Sequence, residues 1–225
     1  MKIFDLSGVI LDFDGVISKN AMDIILDFTY DFVNSHAKIP KIFIENYVKN
    51  LSAFNAKAGV ELVLSSLGLA GKIDKYFSEL GSLVEYKGMK MSIEEDFWGF
   101  MKFCEDNGII CRFFSMAERS WARLGLLGEF FKDRYFFKNI IHPKSNPVSF
   151  YQLKDEIGIP LEKLLLVDDS PLALWSAKTA GLKTAFMANN VFKGSDYKPY
   201  REVIDYRINS FNELKKIFIC KRVLV

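Results

Sequence analysis

The chain has 225 residues, a length that suits one α/β domain with an insertion or two small domains. Half of the residues are apolar, 15% are aromatic and 26% are charged, which excludes a disordered or fibrous protein. The formal net charge is only +2, so the composition does not favour a broad surface for nucleic acid or anionic membrane. We therefore expect a small-molecule partner and a monomer or weak dimer.

The cysteines do not indicate a zinc site or a disulfide framework. Cys104, Cys111 and Cys220 are odd in number and lack a C-x-x-C spacing, so they are predicted to fill the core, as are the three tryptophans. No segment approaches the roughly 18 apolar residues of a membrane span. Asp12 and Asp14 interrupt the amino-terminal apolar stretch, which argues against a targeting segment. The prediction is a cytoplasmic protein without membrane attachment.

The first predicted element is a strand at residues 8–13, where an apolar run is typical of a strand buried on both faces in a parallel sheet. From residue 21 to about residue 83 the apolar periodicity is helical throughout. Within that stretch we predict a first helix from residue 21 and further helices over 42–51, 59–67 and 73–83. No strand is predicted inside this block.

Helices and strands alternate in the remainder of the chain. Ser92 to Glu95 has the pattern of a capping box and predicts the start of a helix that ends at Asn107 and Gly108. Strands are predicted at 109–114, 164–167, 183–187 and 206–208, and helices at 118–127, 148–157 and 172–180, with a terminal helix capped by Ser210. Such alternation predicts a parallel sheet, so the fold class is α/β with an all-helical insertion after the first strand.

Polar residues follow the predicted strands, and the carboxyl ends of parallel strands meet at one edge of a sheet. They are Asp12 and Asp14 at the end of the first strand, Ser115 after the second, Asp168 and Asp169 after the third, and Lys144 in the connection before the third. Taken singly, each is more often a helix cap, a solvated loop residue or a surface lysine. Only the ordered set predicts a functional site.

Electrostatics indicates what such a set would bind. Two like charges 4 Å apart cost on the order of 4 kcal/mol at an effective dielectric near 20, so several clustered carboxylates need a cation. Oxygen ligands favour Mg²⁺, which proteins usually hold together with a substrate phosphate. Ser115 and Lys144 could then bind phosphoryl oxygens. In such a site one aspartate could act as a nucleophile and its neighbour as an acid and base.

The ordered segments resemble the four motifs of the haloacid dehalogenase superfamily. They are Leu11-Asp12-Phe13-Asp14-Gly15-Val16, Phe114-Ser115, Lys144-Ser145-Asn146-Pro147 and Val167-Asp168-Asp169-Ser170. The resemblance spans nearly the whole chain outside the helical insertion. It implies a Rossmann-like core formed by residues 1–17 and 87–225. Residues 18–86 would form a helical cap like that of phosphoglycolate phosphatase-like and β-phosphoglucomutase-like members.

The resemblance also implies a role for each site residue. Asp12 would be the nucleophile that forms an aspartyl-phosphate, and Asp14 would be the acid and base. Phosphate would be bound by Ser115, Met116 and Lys144, and Mg²⁺ by Asp12, Asp14, Asp169 and Asp168, with Asp14 contributing its carbonyl oxygen. Met116 stands where many relatives have Asn, and Ser145 and Asn146 stand where Pro and Asp are frequent.

The sequence therefore predicts a Mg²⁺-dependent phosphatase that hydrolyses a small phosphorylated metabolite. Asp14 argues against a dehalogenase, because breaking a carbon–halogen bond needs no acid for a leaving oxygen. A phosphomutase acting on a sugar phosphate is the alternative, since it would keep all four motifs. A non-catalytic binding protein on the same scaffold is a further alternative, although its natural signature would be the loss of Asp12 or Asp14.

Overall fold

A computed structural model describes residues 5–18, 20–51, 56–86, 93–116, 132, 142–189, 191 and 198–219 of the chain. Its centre is a five-stranded sheet. The strands are β1 (Gly8–Leu11), β2 (Ile110–Phe113), β3 (Leu164–Asp168), β4 (Lys183–Met187) and β5 (Tyr206–Ile208). They are ordered β2-β1-β3-β4-β5, and every neighbouring pair is parallel.

The chain leaves β1 and places its next strand on one side of β1 and the following strand on the other side. This reversal of strand order between β1 and β3 is the point at which open α/β sheets form a crevice beyond their carboxyl ends. In register, Leu11 lies between Phe113 of β2 and Val167 of β3. The residues that follow these three positions therefore enter the same crevice.

Helices surround the sheet and also form the block after β1. That block consists of α1 (Asn20–Asn34), α2 (Lys41–Leu51), α3 (Ala56–Ser66) and α4 (Ile73–Tyr86). The helices that follow are α5 (Phe97–Asp106), α6 (Val148–Ile157), α7 (Pro171–Ala180) and α8 (Phe211–Ile219). Short 3₁₀ helices lie at Ala70–Lys72, Leu161–Lys163 and Lys198–Val203.

Strand alternation divides the buried residues into two apolar clusters, one on each face of the sheet. Val9 and Leu11 of β1 face the cluster that contains Phe100 of α5 and Phe211 of α8. Ile10 faces the opposite cluster, which contains Phe150 of α6 and continues into the helical block. The sheet is thus covered by helices on both faces, which explains why its strands are apolar runs without alternation.

The α/β class predicted from the sequence is confirmed, and the bounds of α6, β4 and β5 agree with the prediction. Ser210 caps the terminal helix as expected, because its Oγ accepts a hydrogen bond from the Glu213 N–H at 3.2 Å. The predicted helix over 118–127 and Cys220 lie outside the described residues. Cys104 and Cys111 are buried, as predicted.

Two local predictions are wrong. The capping-box pattern at Ser92, which itself lies outside the described residues, does not mark the start of α5, since that helix begins at Phe97 with Asp96 at its N-cap. Before the helix, the Glu94 N–H instead donates to the Ile17 carbonyl at 3.0 Å, so a tertiary contact delays the helix start. Trp98 and Trp175 are 40% and 43% exposed and are not core residues.

No helix among the described residues has both the length and the apolar character needed to cross a membrane.

The helical block has an aromatic interior that also contains a buried polar contact. Tyr76 of α4 packs against Phe28 and Phe32 of α1, with ring centroids 5.2 Å apart in both pairs. Its hydroxyl lies 2.8 Å from Thr29 Oγ1, which is also 2.6 Å from the Ile25 carbonyl oxygen. Thr29 therefore donates to Ile25 and accepts from Tyr76, which links α1 to α4.

Removing the Tyr76 hydroxyl and removing the Thr29 hydroxyl should destabilise the protein by different amounts. Tyr76→Phe removes a donor but leaves Thr29 bonded to Ile25, so we expect a loss of about 1 kcal/mol in the free energy of unfolding. Thr29→Val leaves the buried Tyr76 hydroxyl without its acceptor, at a cost of about 1–3 kcal/mol. Urea denaturation of both variants would measure the difference. A smaller loss for Thr29→Val than for Tyr76→Phe would contradict the assignment of donor and acceptor.

Candidate active site

Two aspartates meet at the carboxyl ends of β1 and β3. Asp12 directly follows Leu11, and Asp168 directly follows Val167, the register partner of Leu11. A hydrogen bond of 2.9 Å from the Asp12 N–H to the Val167 carbonyl continues the strand pairing to the rim of the sheet. Both aspartates are buried, Asp12 at 7% exposure and Asp168 at 1%. The parallel register alone brings these residues side by side across 156 positions of sequence.

Lys144 inserts its ammonium group between these two carboxylates. Its Nζ donates to Asp12 Oδ1 and, at 2.8 Å, to Asp168 Oδ2, and the residue is only 2% exposed. The same nitrogen lies 5.4 Å from the centroid of the Phe114 ring. A lysine predicted from sequence to bind at the site is thus fully enclosed there, and its charge is compensated on two sides.

The loop that carries Lys144 is held by the residues after it. Asn146 Oδ1 accepts a hydrogen bond from the Val148 N–H at 3.0 Å, which covers one of the free N–H groups at the start of α6. Ser149 Oγ donates to the Asn146 carbonyl at 2.7 Å. An aspartate at position 146 could accept the same bond, so the departure of Asn146 from the family pattern does not disturb the loop.

A third carboxylate completes an acidic cluster. Oxygen atoms of Asp12, Asp168 and Asp169 lie within 4.8 Å of one another, and all three residues are buried. A divalent ion with ligand bonds of roughly 2.0–2.6 Å can span such a separation, and carboxylate oxygens are the ligands that Mg²⁺ and Ca²⁺ prefer. If all three carboxyl groups were ionised, they would carry more negative charge than one ammonium compensates, and a cation would balance the difference. The donor set therefore fits a hard divalent metal ion.

The electrostatics of the cluster follows from its burial. Burial raises the pKa of Asp12 to about 8, against the attraction of Lys144 and with the help of repulsion from Asp168. Burial also raises the pKa of Asp169 well above its ordinary value. For Lys144, burial alone lowers the pKa, but the carboxylates of Asp12 and Asp168 outweigh it and the pKa rises. The ammonium is therefore the permanently charged member of the site.

The other predicted site residues lie at the rim. Asp14 is half-buried and forms a single β-bridge with Ser18. Its negative charge helps to raise the pKa of Asp12. Ser115 is half-buried just beyond β2. Met116 is also half-buried, and its side chain packs against the apolar cluster that contains Phe114. The turn after β1 and the end of β2 thus border the buried cluster.

Gly15 allows the turn after β1 to pass close to Asp169. Its φ is +88°, a conformation that favours glycine. A Cβ built at this position would overlap Asp169 Oδ2 and lie 2.6 Å from Asp169 Cγ and 2.8 Å from Asn189 Nδ2. The absence of a side chain at Gly15 is therefore a condition for the present position of the third carboxylate.

Asn189 is a site residue that the sequence prediction missed. It lies two residues beyond β4, and its Nδ2 donates to Asp169 Oδ2 at 2.6 Å and to the Gly15 carbonyl at 3.1 Å. The signal that marks Asp12 was present here too, because Asn189 is a polar residue just after a buried strand. The sequence predicts the β4 strand but assigns no site residue beyond its end.

Gly15→Ala is expected to be more harmful than the same change at Gly158. Both glycines have positive φ, +88° and +73°, so both variants incur a backbone cost of about 1–2 kcal/mol. At Gly158 a Cβ meets no atom within 4 Å, which makes Gly158→Ala the matched control. We expect Gly15→Ala to lose about 1–3 kcal/mol more, because Asp169 must move. Equal losses in urea denaturation would contradict the close contact.

The raised pKa of Asp12 predicts how stability changes with pH in metal-free buffer. Between about pH 4 and pH 8 the folded protein retains a proton on Asp12 that the unfolded chain has released. The unfolded state binds fewer protons, so the contribution of Asp12 to the free energy of unfolding falls as pH rises through this interval. Asp12→Asn should flatten this dependence, because it removes the titrating carboxyl group. Parallel curves for the two proteins in chelator-treated urea titrations would refute this.

Comparison with known proteins identifies the fold. No family model matches the chain, and no curated protein matches it in sequence. Solved structures match over almost the whole chain. A conserved haloacid dehalogenase-like protein from Agrobacterium tumefaciens has a TM-score of 0.68 at 16% identity, covering 97% of this chain and 99% of its own.

Two further matches have more specific names. A predicted phosphoglycolate phosphatase from Haemophilus somnus has a TM-score of 0.69 at 15% identity, covering 97% of this chain and 99% of its own. A β-phosphoglucomutase from Clostridium difficile has a TM-score of 0.63 at 15% identity, with 96% of each chain covered. The resemblance seen in the four sequence motifs thus extends to three dimensions, and the chain has the fold of the haloacid dehalogenase-like hydrolases.

Proposed function

We propose that the protein is a Mg²⁺-dependent phosphatase that hydrolyses a small phosphorylated metabolite through an aspartyl-phosphate intermediate. The observation that carries the proposal is the buried cluster of Asp12, Asp168 and Asp169 around Lys144. Carboxylates that approach a phosphoryl group need positive charge beside them, and this cluster combines a cation-binding set of oxygens with a fixed ammonium. The folds of a phosphoglycolate phosphatase and a β-phosphoglucomutase agree with this chemistry.

Asp12 would act as the nucleophile. A carboxylate oxygen of Asp12 would form a bond to phosphorus while the bond from phosphorus to the leaving oxygen breaks. Asp14 would give its proton to that leaving oxygen, and the resulting Asp14 carboxylate would then remove a proton from the attacking water. Attack of this water on phosphorus would release phosphate and restore Asp12. Attack requires the ionised form of Asp12, and positive charge from Lys144 and a bound cation would favour that form against the effect of burial.

Lys144 would bind the phosphoryl oxygens and neutralise their charge. An ammonium group has three N–H donors, and Lys144 gives one to Asp12 and one to Asp168. Among the contacts of the described residues the third has no protein acceptor, and it would bind a phosphoryl oxygen. We propose Ser115 as a second phosphate ligand through its hydroxyl. Met116 would contribute a backbone N–H, because its thioether cannot donate a hydrogen bond.

Asp12, Asp169 and the carbonyl oxygen of Asp14 would hold the Mg²⁺ ion, with Asp168 in support. When bound, the ion would supply positive charge that draws the anionic substrate to the carboxylates and stabilises charge in transfer. Asp168 already accepts hydrogen bonds from Lys144 and from the Ser170 N–H at 2.9 Å. Its role would therefore be to orient Lys144 and keep the cluster in place.

The helical block would act as a cap that shields the site from bulk solvent during phosphoryl transfer. We propose the division made from the sequence, with residues 1–17 and 87–225 as the core and residues 18–86 as the cap. The block enters and leaves the chain next to the candidate nucleophile, since α1 begins eight residues after Asp12. Closure over the site would also bring the cap surface against the part of the substrate beyond the phosphate.

A phosphate-release screen over phosphorylated metabolites, with and without Mg²⁺, tests the proposal. We expect hydrolysis that requires the metal and that falls by at least about 10³-fold in Asp12→Asn, which lacks the nucleophile. Asp14→Asn should lower kcat by about 10²–10⁴-fold through loss of the acid and base.

Asp27→Asn is the matched control, because it removes an exposed carboxylate that pairs only with Lys41 among the contacts seen here. Its activity should equal that of the wild type. Wild-type turnover that survives both a chelator and Asp12→Asn would refute the proposed mechanism. Rapid conversion of a sugar phosphate to its isomer with slow phosphate release would indicate a phosphomutase instead.

A further inference from the structure

Asn189 connects three loops at the carboxyl edge of the sheet. Its Nδ2 donates to Asp169 Oδ2 in the loop after β3 and to the Gly15 carbonyl in the turn after β1. Its Oδ1 accepts a hydrogen bond from the Val191 N–H at 3.0 Å, which closes the turn after β4. A single amide side chain thus makes contacts in the three loops that follow β1, β3 and β4.

The hydrogen bond to Asp169 restricts the rotation of a candidate metal ligand. A carboxylate on a short side chain can turn about its terminal bond, and a donor on one oxygen fixes the direction of the other. With Oδ2 held by Asn189, Oδ1 is the oxygen that we assign to the cation. Carboxylates that bind metals are generally held by such hydrogen bonds, and the supporting residue contributes strongly to affinity.

The hydrogen bond to Gly15 acts on a second part of the same site. Gly15 directly follows Asp14, whose carbonyl is the proposed backbone ligand, so fixing the Gly15 carbonyl restricts the peptide unit next to that ligand. The Gly15 N–H donates to the Ser18 carbonyl at 2.9 Å, which holds the turn from its other side. Asn189 therefore sets the position of the β1 turn relative to Asp169.

We infer that Asn189 is a positioning residue for divalent metal binding, which orients the Asp169 carboxylate and holds the β1 turn against it. The inference rests on the proposed function for the presence of a metal ion. Asn189 contacts neither the reacting atoms nor, in this role, the ion. Its loss should weaken the metal complex by making the ligands more mobile, while leaving the chemical groups of the reaction in place.

Two substitutions of Asn189 distinguish its role in metal binding from its role in closing the turn after β4. Asn189→Ala removes the three hydrogen bonds described above. Asn189→Ser retains a hydroxyl that can accept from the Val191 N–H, as serine does in turns, but it is too short to reach both Asp169 and Gly15. Asn107→Ala is the control, because it also removes a half-buried asparagine, whose Nδ2 bonds to the Phe103 carbonyl at 2.6 Å near the opposite edge of the sheet.

Metal affinity is measured by calorimetric titration of the purified proteins with Mg²⁺ and, separately, with Mn²⁺, without any substrate. We expect the Kd to rise about 10- to 100-fold in Asn189→Ala and Asn189→Ser and to stay unchanged in Asn107→Ala. In the hydrolysis assay, the metal concentration for half-maximal rate should rise in parallel. The rate at saturating metal should return to near the wild-type value, which a loss of folded protein could not produce.

Each outcome has a definite meaning. Wild-type affinity in a folded Asn189→Ser, or an equal loss in Asn107→Ala, would overturn the inference. A wild-type protein that binds neither ion would overturn the inference together with the metal in the proposed function. A selective loss of affinity in the Asn189 variants, in a protein that hydrolyses no phosphate ester, would support the positioning role and count against the phosphatase alone.

Discussion

Lys144 carries a buried ammonium group that donates to Asp12 and Asp168, and the arrangement of the site depends on this pairing. Removing one partner of a buried ion pair typically costs about 3–5 kcal/mol, because a charge is left without compensation. Exposed pairs such as Lys102 and Asp106 contribute only about 0–1 kcal/mol. The loop before α6 is thus tied to the ends of β1 and β3 by a buried ion pair whose disruption would be costly.

The same burial makes the site unfavourable for folding. Asp12 and Asp169 have raised pKa values because desolvation disfavours their charged forms, and a single ammonium cannot neutralise three carboxylates. The cost is offset elsewhere, by two apolar clusters that cover both faces of the sheet. A cation would be attracted by the uncompensated negative charge of these carboxylates, which would increase its affinity for the site. Stability and function therefore make opposite demands on these carboxylates.

Specific contacts fix the conformations of the loops around the acidic cluster, just as strand pairing fixes the sheet. Gly15 has no side chain where one would collide with Asp169, and Asn189 holds the two loops at that contact. Asn146 and Ser149 stabilise the loop of Lys144 by local hydrogen bonds. Each loop begins at the end of a strand or leads into a helix. The sheet therefore fixes where each loop starts. Hydrogen bonds within and between the loops then fix the positions of their side chains.

The sequence by itself predicted the elements and the residue types that meet at the site. Apolar runs and helical periodicity identified β1, β3, β4 and the helical block, since these signals depend only on which faces are buried. The order of Asp12, Lys144 and the Asp168-Asp169 pair was sufficient to predict an acidic, phosphate-directed site. The acidic residues and Lys144 do meet, because strand polarity assigns the carboxyl ends of parallel strands to one edge without knowledge of the packing, whereas phosphate binding is still a proposal.

Only the tertiary structure decided which atoms meet. The pairing of Lys144 with both aspartates, the place of Asn189 and the delayed start of α5 depend on contacts between segments remote in sequence. Local patterns do not encode such contacts: the capping box at Ser92 failed because Glu94 bonds to Ile17, some 77 positions earlier in the chain. Distances and burial are properties of the packed molecule, and periodicity and spacing along the chain do not contain them.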